Sequence, residues 1–432
     1  MKNDKKVIWA WSMYDWANSV YSLVIISSIF PVYYENVTMH NQSDLVSFFG
    51  VEMINTVLYS YALSFSFLVV ASMLPLLTGI ADFSGRRMFF MKAFVYLGSF
   101  SCMGLAFFTG ENVELGIILS ILASIAFSGS LVFYNSYLPQ IATFDKMDSV
   151  SAKGFSYGYI GSVLLLVINL VMIQKPGWFG IAPGGTAARI SFVMVGLWWL
   201  GFSQITFKYM PKDKRIAGYG SHMLLNGYRE IRKVWNQLKE LPQTRIFLLS
   251  FLFYNTGVQT IMYLATQFGS KVIKLTDEDA IKIVLTINLI AILGSYLFAR
   301  LSKIRGNKFS IVVMVIIWIF VCISAYFIQN TNQFFVLAFV VGMIMGGIQA
   351  LSRATYSKLI PKETTDLASF FSFYDVTYNV SIVIGTFAYG VIENLTGSMR
   401  NSSLTLALFF FLGLGFLLKL RMPQSANSEP AA

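Results

Sequence analysis

Inside the long apolar stretches of this chain, a few carboxylates, amides and tyrosines are the side chains able to do chemistry. Asp15 stands within "WAWSMYDWANSVYSLVIISSIFPVYY", a run without Lys or Arg, and Asn18 follows one turn on. Holding a carboxylate at bilayer depth costs roughly 2.5–3.5 kcal/mol on insertion scales, so such groups face a cavity or a partner and mark substrate or proton paths. By helical rise Asp15 lies roughly 9 Å from the near end of its run. Asp375, in "FYDVTYN", is at a similar depth. Asn135 and Arg353 fall at the ends of their runs, and Asn18, Asn255, Gln259, Gln349 and Asn379 nearer the middle. Arg353 is close enough to an end to snorkel to the surface. Tyr14, Tyr21, Tyr134, Tyr157, Tyr254, Tyr356, Tyr374 and Tyr378 suit an aromatic pocket, with helix packing the plainer use of each.

Other chemistries are poorly provided for. The only histidines, His40 and His222, fall between the runs, and Cys102 and Cys322 stand in two separate runs. That leaves no metal set, no thiol pair and no intramembrane histidine to act as a base. There is no Gly-rich phosphate loop ending in Lys-Ser/Thr. The sequence predicts no metal, no cofactor and no enzymatic reaction.

The elements that must position these residues are membrane helices. The chain has 432 residues, 56% hydrophobic and 12% charged, with mean hydropathy +0.64, whereas soluble domains carry about a quarter charged residues. Twelve apolar runs occur, at 9–34, 53–79, 88–109, 115–138, 153–174, 189–209, 245–267, 280–302, 309–328, 333–356, 368–393 and 402–421. Each is long enough to span a bilayer as a helix. With the N-terminus in the cytoplasm, all but six of the 32 Lys and Arg fall on the cytoplasmic side. That is the positive-inside bias, and it predicts both termini in the cytoplasm. The net charge of +11 is then topological, with the lipid bilayer as partner and no nucleic acid. The first run is too long for a leader and lacks a small-residue cleavage site, so it reads as the first span.

Weak internal repeats divide the chain. "YDWANS" at 14–19 resembles "YNTGVQ" at 254–259, and "YNSYLP" at 134–139 resembles "YSKLIP" at 356–361. They pair run one with seven and four with ten, as a six-plus-six duplication would, and transporters of that build hold substrate between the repeats. The predicted units are a six-helix bundle over 1–209, a linker over 210–244 and a second bundle over 245–432. In the linker, Leu224, Tyr228, Ile231, Trp235 and Leu238 share one helical face. That helix suits the cytoplasmic membrane surface, or docking under the bundle. Pro242 ends it, Thr276 to Asp279 form a capping box, and the rows Gly154-Gly158-Gly161 and Gly342-Gly346 suit close helix contacts.

Between the second and third runs, "TGIADFSGRR" at 78–87 resembles the loop signature of the major facilitator superfamily. Ala81, Asp82, Gly85, Arg86 and Arg87 match it; Thr78 and Phe83 depart from it. "ARLSKIRGNK" at 299–308 is a degraded second copy without the Asp. "YDWANSVYS", "FYNSYLPQIA", "RISFVMVGLWWLGF", "FLFYNTGVQT" and "GGIQALSRATYSKLIP" resemble the vacuole-effluxer-like branch, named for a fungal autophagy-related amino-acid effluxer. The resemblance implies an all-α membrane protein with twelve transmembrane helices in two six-helix bundles, working by alternating access. It implies a central cavity lined by spans one, four, seven and ten, drawing on Asp15, Asn18, Tyr21, Asn135, Asn255, Gln259, Gln349, Asp375 and Asn379. It implies a cytoplasmic gate at Asp82, Gly85, Arg86 and Arg87, to which Arg353 is added by its position. The expectation is a monomeric secondary transporter of a small polar or zwitterionic metabolite in the cytoplasmic (inner) membrane, with protons as a candidate partner through Asp15. A non-transporting receptor or scaffold on the same fold is the alternative.

Overall fold

The computed structural model describes residues 2–39, 43–182, 185–213 and 223–423, without the side chains of residues 223, 224, 266, 267, 277 and 278. His40, His222 and the side chain of Leu224 lie outside the described residues.

Among the described residues, twelve helices are long and apolar enough to cross a membrane: Lys5–Thr38, Asn55–Ser84, Arg87–Phe107, Val113–Ile141, Met147–Gln174, Thr186–Tyr209, Pro242–Ala265, Asp279–Arg305, Asn307–Phe327, Thr331–Leu359, Leu367–Thr396 and Met399–Lys419, here the first to twelfth spans. Every predicted run is present. Most extend past the apolar stretch into polar residues, because the helix stops where a cap stops it. Asp4 caps the first span, accepting from the amides of Lys6 and Val7. Thr276 accepts from the Asp279 amide at 3.2 Å, as predicted. Gly85 takes the left-handed conformation (φ 62°) that closes the second span. Its place in the 78–87 motif is thus a backbone requirement.

Two local features depart from the sequence reading. The first span changes just beyond Asn18 into a π-helical turn, Tyr21–Ile26, before continuing as Ile29–Thr38. Such turns widen a helix and gather at functional sites. Between the first two runs lies a hairpin, β1 Leu45–Phe48 and β2 Val51–Ile54, turned at Phe49 and Gly50 with φ of 49° and 82°. Its second strand runs straight into the second span, which hides it in the sequence.

The interior divides between the two sets of spans. One apolar core runs from Trp11 to Met210, joined from later in the chain by Ala354 and Ala368. The other runs from Val234 to Leu420, joined from earlier by Tyr159. The fifth-span glycines receive the first span: a Cβ on Gly154 would meet the Asp15 carboxylate, and one on Gly161 the Trp16 carbonyl at 2.8 Å. Gly342 and Gly346 likewise lie against Ile287 and Ala291 of the eighth span.

The linker helix, Met223–Glu240, docks under the bundle. Gly79 and Gly227 bring its backbone against the second span. Val234 and Leu238 are buried while Tyr228 and Trp235 stay exposed, so the buried face is turned from the predicted one. Asn3, whose amide donates to the Ile141 carbonyl, and Arg421, whose amide donates to Gln243, lie on the same side of the molecule as this helix. That side is called the linker face below.

Candidate functional site

Asp15 and Arg353 form one buried ion pair between the two sets of spans. The Arg353 Nη2 donates to Asp15 Oδ2 at 3.1 Å, and Tyr134 Oη donates to the same oxygen at 2.7 Å. Arg353 also donates through Nε to Ser151 Oγ at 2.9 Å, through Nη2 to the Ser151 carbonyl at 3.0 Å, and through Nη1 to Asn135 Oδ1 at 3.4 Å. Its guanidinium lies over Phe155 and Trp11, 4.2 and 4.7 Å from the ring centroids. The arginine of the tenth span is thus inserted into a socket made by the first, fourth and fifth. Its side chain is 3% exposed, so it does not snorkel to the surface. A planar donor fork can serve a carboxylate, a hydroxyl and a carbonyl together, which gains more than reaching the surface.

Two further carboxylates join the halves on the linker face. Asp82 accepts from the amides of Ser369 (2.7 Å) and Ala368 (3.4 Å) in the first turn of the eleventh span, where unpaired N–H groups gather. Arg87 Nε lies 3.2 Å from Asp82, and its Nη2 donates to the Thr365 carbonyl. Arg86 is the cap residue just before the third span, its amide donating to the Ala81 carbonyl. The other carboxylate, Asp148 in the fifth span, accepts from Lys358 Nζ at 2.7 Å, Ser302 Oγ at 2.8 Å and Asn307 Nδ2 at 2.7 Å. These come from the tenth, eighth and ninth spans. The degraded motif copy thus supplies acceptor-seeking groups, and the missing acid comes from across the interface. The sequence reading missed Asp148. Its signal is an acid in a span's first turn and an opposite charge, Lys358, ending another span.

At mid-depth the polar side chains form short chains. Tyr159 donates to Gln349 at 2.6 Å. Tyr378 donates to Gln259 at 3.1 Å, Gln259 to Asn255 at 3.2 Å, and Asn255 to Ser381 at 2.6 Å. Asn379 donates to the Asp375 carbonyl. Among the described residues, no hydrogen-bond partner reaches Asn18 Nδ2, Asp375 Oδ2 or Asn379 Oδ1, although all three residues are buried. Tyr21 is set apart, packed against Phe127 and Trp199 inside the first core. The expected single aromatic pocket is two clusters: Trp11, Tyr14 and Tyr134 in one, Phe251, Tyr356 and Tyr374 in the other. Tyr157 joins neither, and lies near Lys153. Among the described residues no cluster of His, Cys, Asp and Glu suits a metal ion.

Comparison with known proteins agrees with this build. Residues 3–429 match the family model described as "Vacuole effluxer Atg22 like". An uncharacterized MFS-type transporter of Bacillus subtilis, YxiO, is 30% identical over 419 residues, covering 96% of this chain and 95% of its own. Among solved structures, the major facilitator FucP in the outward conformation aligns with TM-score 0.70 at 12% identity, over 97% of this chain and 99% of its own. The proton:xylose symporter XylE aligns with TM-score 0.71 at 13% identity, over 96% and 95%. The chain therefore belongs to the Atg22-like vacuole effluxer family, on the major facilitator fold.

Proposed function

We propose that the protein is a secondary active transporter that carries a small polar or zwitterionic metabolite by alternating access. The observation that supports this most is the chemistry of the linker-face contact. There the halves meet through Asp15–Arg353, Asp148–Lys358 and Asp82 on the eleventh span. Toward the opposite face, Tyr263, Val284 and Leu285 pack against the first core as an apolar contact. Charged and hydrogen-bonded groups can exchange partners for water when a contact opens, whereas permanent interfaces are more apolar. Bundles spanning 1–209 and 245–432, tied by 210–244, are the moving bodies in this reading. Asn18, Asn255, Gln259, Gln349, Asp375 and Asn379 form the substrate region between them.

In the same reading the linker face is cytoplasmic, both termini are inside and the membrane is the cytoplasmic one. The basic residues on that face support this orientation. Asp15, held by Arg353 and Tyr134, serves the gate. The test is a metabolite screen for thermal stabilisation of the purified protein, followed by flux in proteoliposomes. A stabilising amine or amino acid that is also transported is the expected result. Stabilisation without flux would favour a receptor. In whole cells, an impermeant thiol reagent should label a cysteine at Ser43 and spare one at Glu240; the reverse pattern inverts the orientation.

A further inference from the structure

We propose that Asp375 is the proton site of the transport cycle and the second partner of Arg353. Asp375 is neutral while Arg353 is held by Asp15, and ionised when the linker face opens and Arg353 turns to it. This rests on the alternating-access reading above.

The starting observation is an imbalance. Asp375 is buried, its Oδ2 meets no donor, and no ion pair reaches it among the described residues. One turn on, Asn379 Oδ1 is buried without a donor too. An ionised carboxylate in that setting is strongly disfavoured, and a proton on Oδ2 both removes the charge and supplies a donor. The second observation is connectivity. Arg353 belongs to the tenth span and Asp375 to the eleventh, both in the second set of spans, whereas Asp15, Tyr134 and Ser151 belong to the first. Tyr356, three residues after Arg353, has its ring 5.1 Å from that of Tyr374, the neighbour of Asp375, and its hydroxyl donates to the Phe370 carbonyl.

When the linker face opens, Arg353 leaves Asp15, Tyr134 and Ser151 together. A guanidinium cannot shed its proton, so it needs a new anion. The charged and titratable groups on the elements around the eleventh span narrow the choice. The second span brings Asp82, committed to the Ser369 amide and Arg87. Tyr134 of the fourth span is committed to Asp15, Tyr159 of the fifth to Gln349, and Tyr254 of the seventh to Ser352. Lys233 and Glu230 of the linker helix engage at Asp366, and Lys419 of the twelfth span lies over Phe416. Lys358 loses Asp148 on opening but keeps Asn307 of its own half, whereas Asp15, Ser151 and Asn135 all depart from Arg353.

On opening, the Asp375 O–H bond breaks, its electron pair stays on the carboxylate, and the proton passes to water in the opened linker-face cavity. The carboxylate then accepts from Arg353. On closing, Arg353 returns to Asp15 and Asp375 takes a proton from water reaching it from the opposite face. One proton moves from the opposite face to the linker face per cycle.

Infrared difference spectroscopy of the full chain in nanodiscs reads the protonated carboxyl directly through its carbonyl stretch. The unmodified protein should show that band, and Asp375→Asn should lose it. In Asp15→Asn the released Arg353 should ionise Asp375 and weaken the band at least tenfold; in Arg353→Gln the band should persist to higher pH. Spin-label distances across the linker face should show an opening that rises with pH in the unmodified protein and is at least tenfold rarer and pH-independent in Asp375→Asn. Should Asp375→Asn fail to fold, Asp375→Glu serves, and must shift the band. A band untouched by substitution at Asp375, or an unchanged pH dependence of opening in Asp375→Asn, overturns the proposal. Absence of any substrate flux, with band and pH-linked opening intact, would instead overturn the transport reading and leave the proton site standing.

Discussion

Asp15 and Asp375 are the same residue type at similar depth in two spans, yet their surroundings are opposite. Asp15 is shared between the halves, with a guanidinium and a phenol on one oxygen. Asp375 stays within one half and has an oxygen with no donor. Burial alone therefore does not assign a carboxylate its task. In the proposed cycle the acid paired across the contact holds it shut, and the unpaired one changes protonation. The contrast is sharpest at Arg353, which serves one acid and lies near the other. Removing it should give the largest effect. Arg353→Met leaves Asp15 buried with Tyr134 as its sole donor, and breaking a buried pair from one side costs about 3–5 kcal/mol. The thermal midpoint should fall sharply. The double variant Arg353→Met with Asp15→Leu removes both charges and should recover most of the loss. If the double variant is no better than the single one, the socket matters for its shape and the pair for little.

Gly154 offers a way to disturb the pair without touching a charge. A Cβ there would press on the Asp15 carboxylate and lie 2.9 Å from Arg353 Nη2. Overpacking of this kind costs about 1–3 kcal/mol, so Gly154→Ala should push the linker face toward its open state in spin-label distances. Asp375 should be affected only through Arg353. An equal shift in the Arg353→Met background would break the comparison, because the glycine would then be acting on something other than the pair.

The spans and their number were legible in the sequence, because hydropathy is a one-dimensional signal. The Asp82 motif was legible for the same reason: its contacts begin with a fixed local turn closed by Gly85. The pairing of Asp15 was not. Arg353 lies 338 residues away, and its position near a span end suggests exposure unless the socket of Trp11, Ser151 and Phe155 is known. Asp148 was missed for a related reason. Its partners come from three spans, and the loop copy that should have signalled them carries no acid. The π-helical turn after Asn18 and the hairpin at 45–54 depend on local packing that hydropathy does not encode. Tyr21 fits this pattern too: its spacing suits a cavity, and the turn points it at Phe127 and Trp199.

Asp82 and Asp148 extend the comparison to the rim of the linker face. Asp82 is satisfied chiefly by backbone amides, Asp148 wholly by side chains. An asparagine at 82 keeps one acceptor oxygen for Ser369 and loses the charge seen by Arg87 and the helix N-terminus. Asp82→Asn should therefore cost roughly 1–1.5 kcal/mol, read as a modest rise in the open population. Asp148→Asn strands Lys358, whose side chain is 5% exposed, and should shift the same distances further. Equal responses would mean that the two rims do not differ in how they hold the halves.

The smallest effect belongs to the linker helix. It rests on the second span through Gly79 and Gly227, and Lys233 reaches across to Asp366 at 2.7 Å while also holding Glu230 at 2.8 Å. Asp366 precedes the eleventh span, so this contact spans the same divide as Asp82. Burial pulls the Lys233 ammonium down, but its bonds to Asp366 and Glu230 outweigh that and leave it above the usual lysine value of 10.5. A raised folded value means the contact contributes fully below the unfolded value and fades only as pH rises through the folded one. It should thus be constant across the physiological range, unlike the opening linked to Asp375. The Lys233 side chain is 51% exposed and borders a cavity of about 310 Å³, so water and salt screen it. Lys233→Ala should cost no more than about 1 kcal/mol, and raised salt should mimic it in the unmodified protein. A Lys233→Ala variant whose linker face opens as widely as that of Arg353→Met would make the linker, and not the Asp15 socket, the principal restraint on opening.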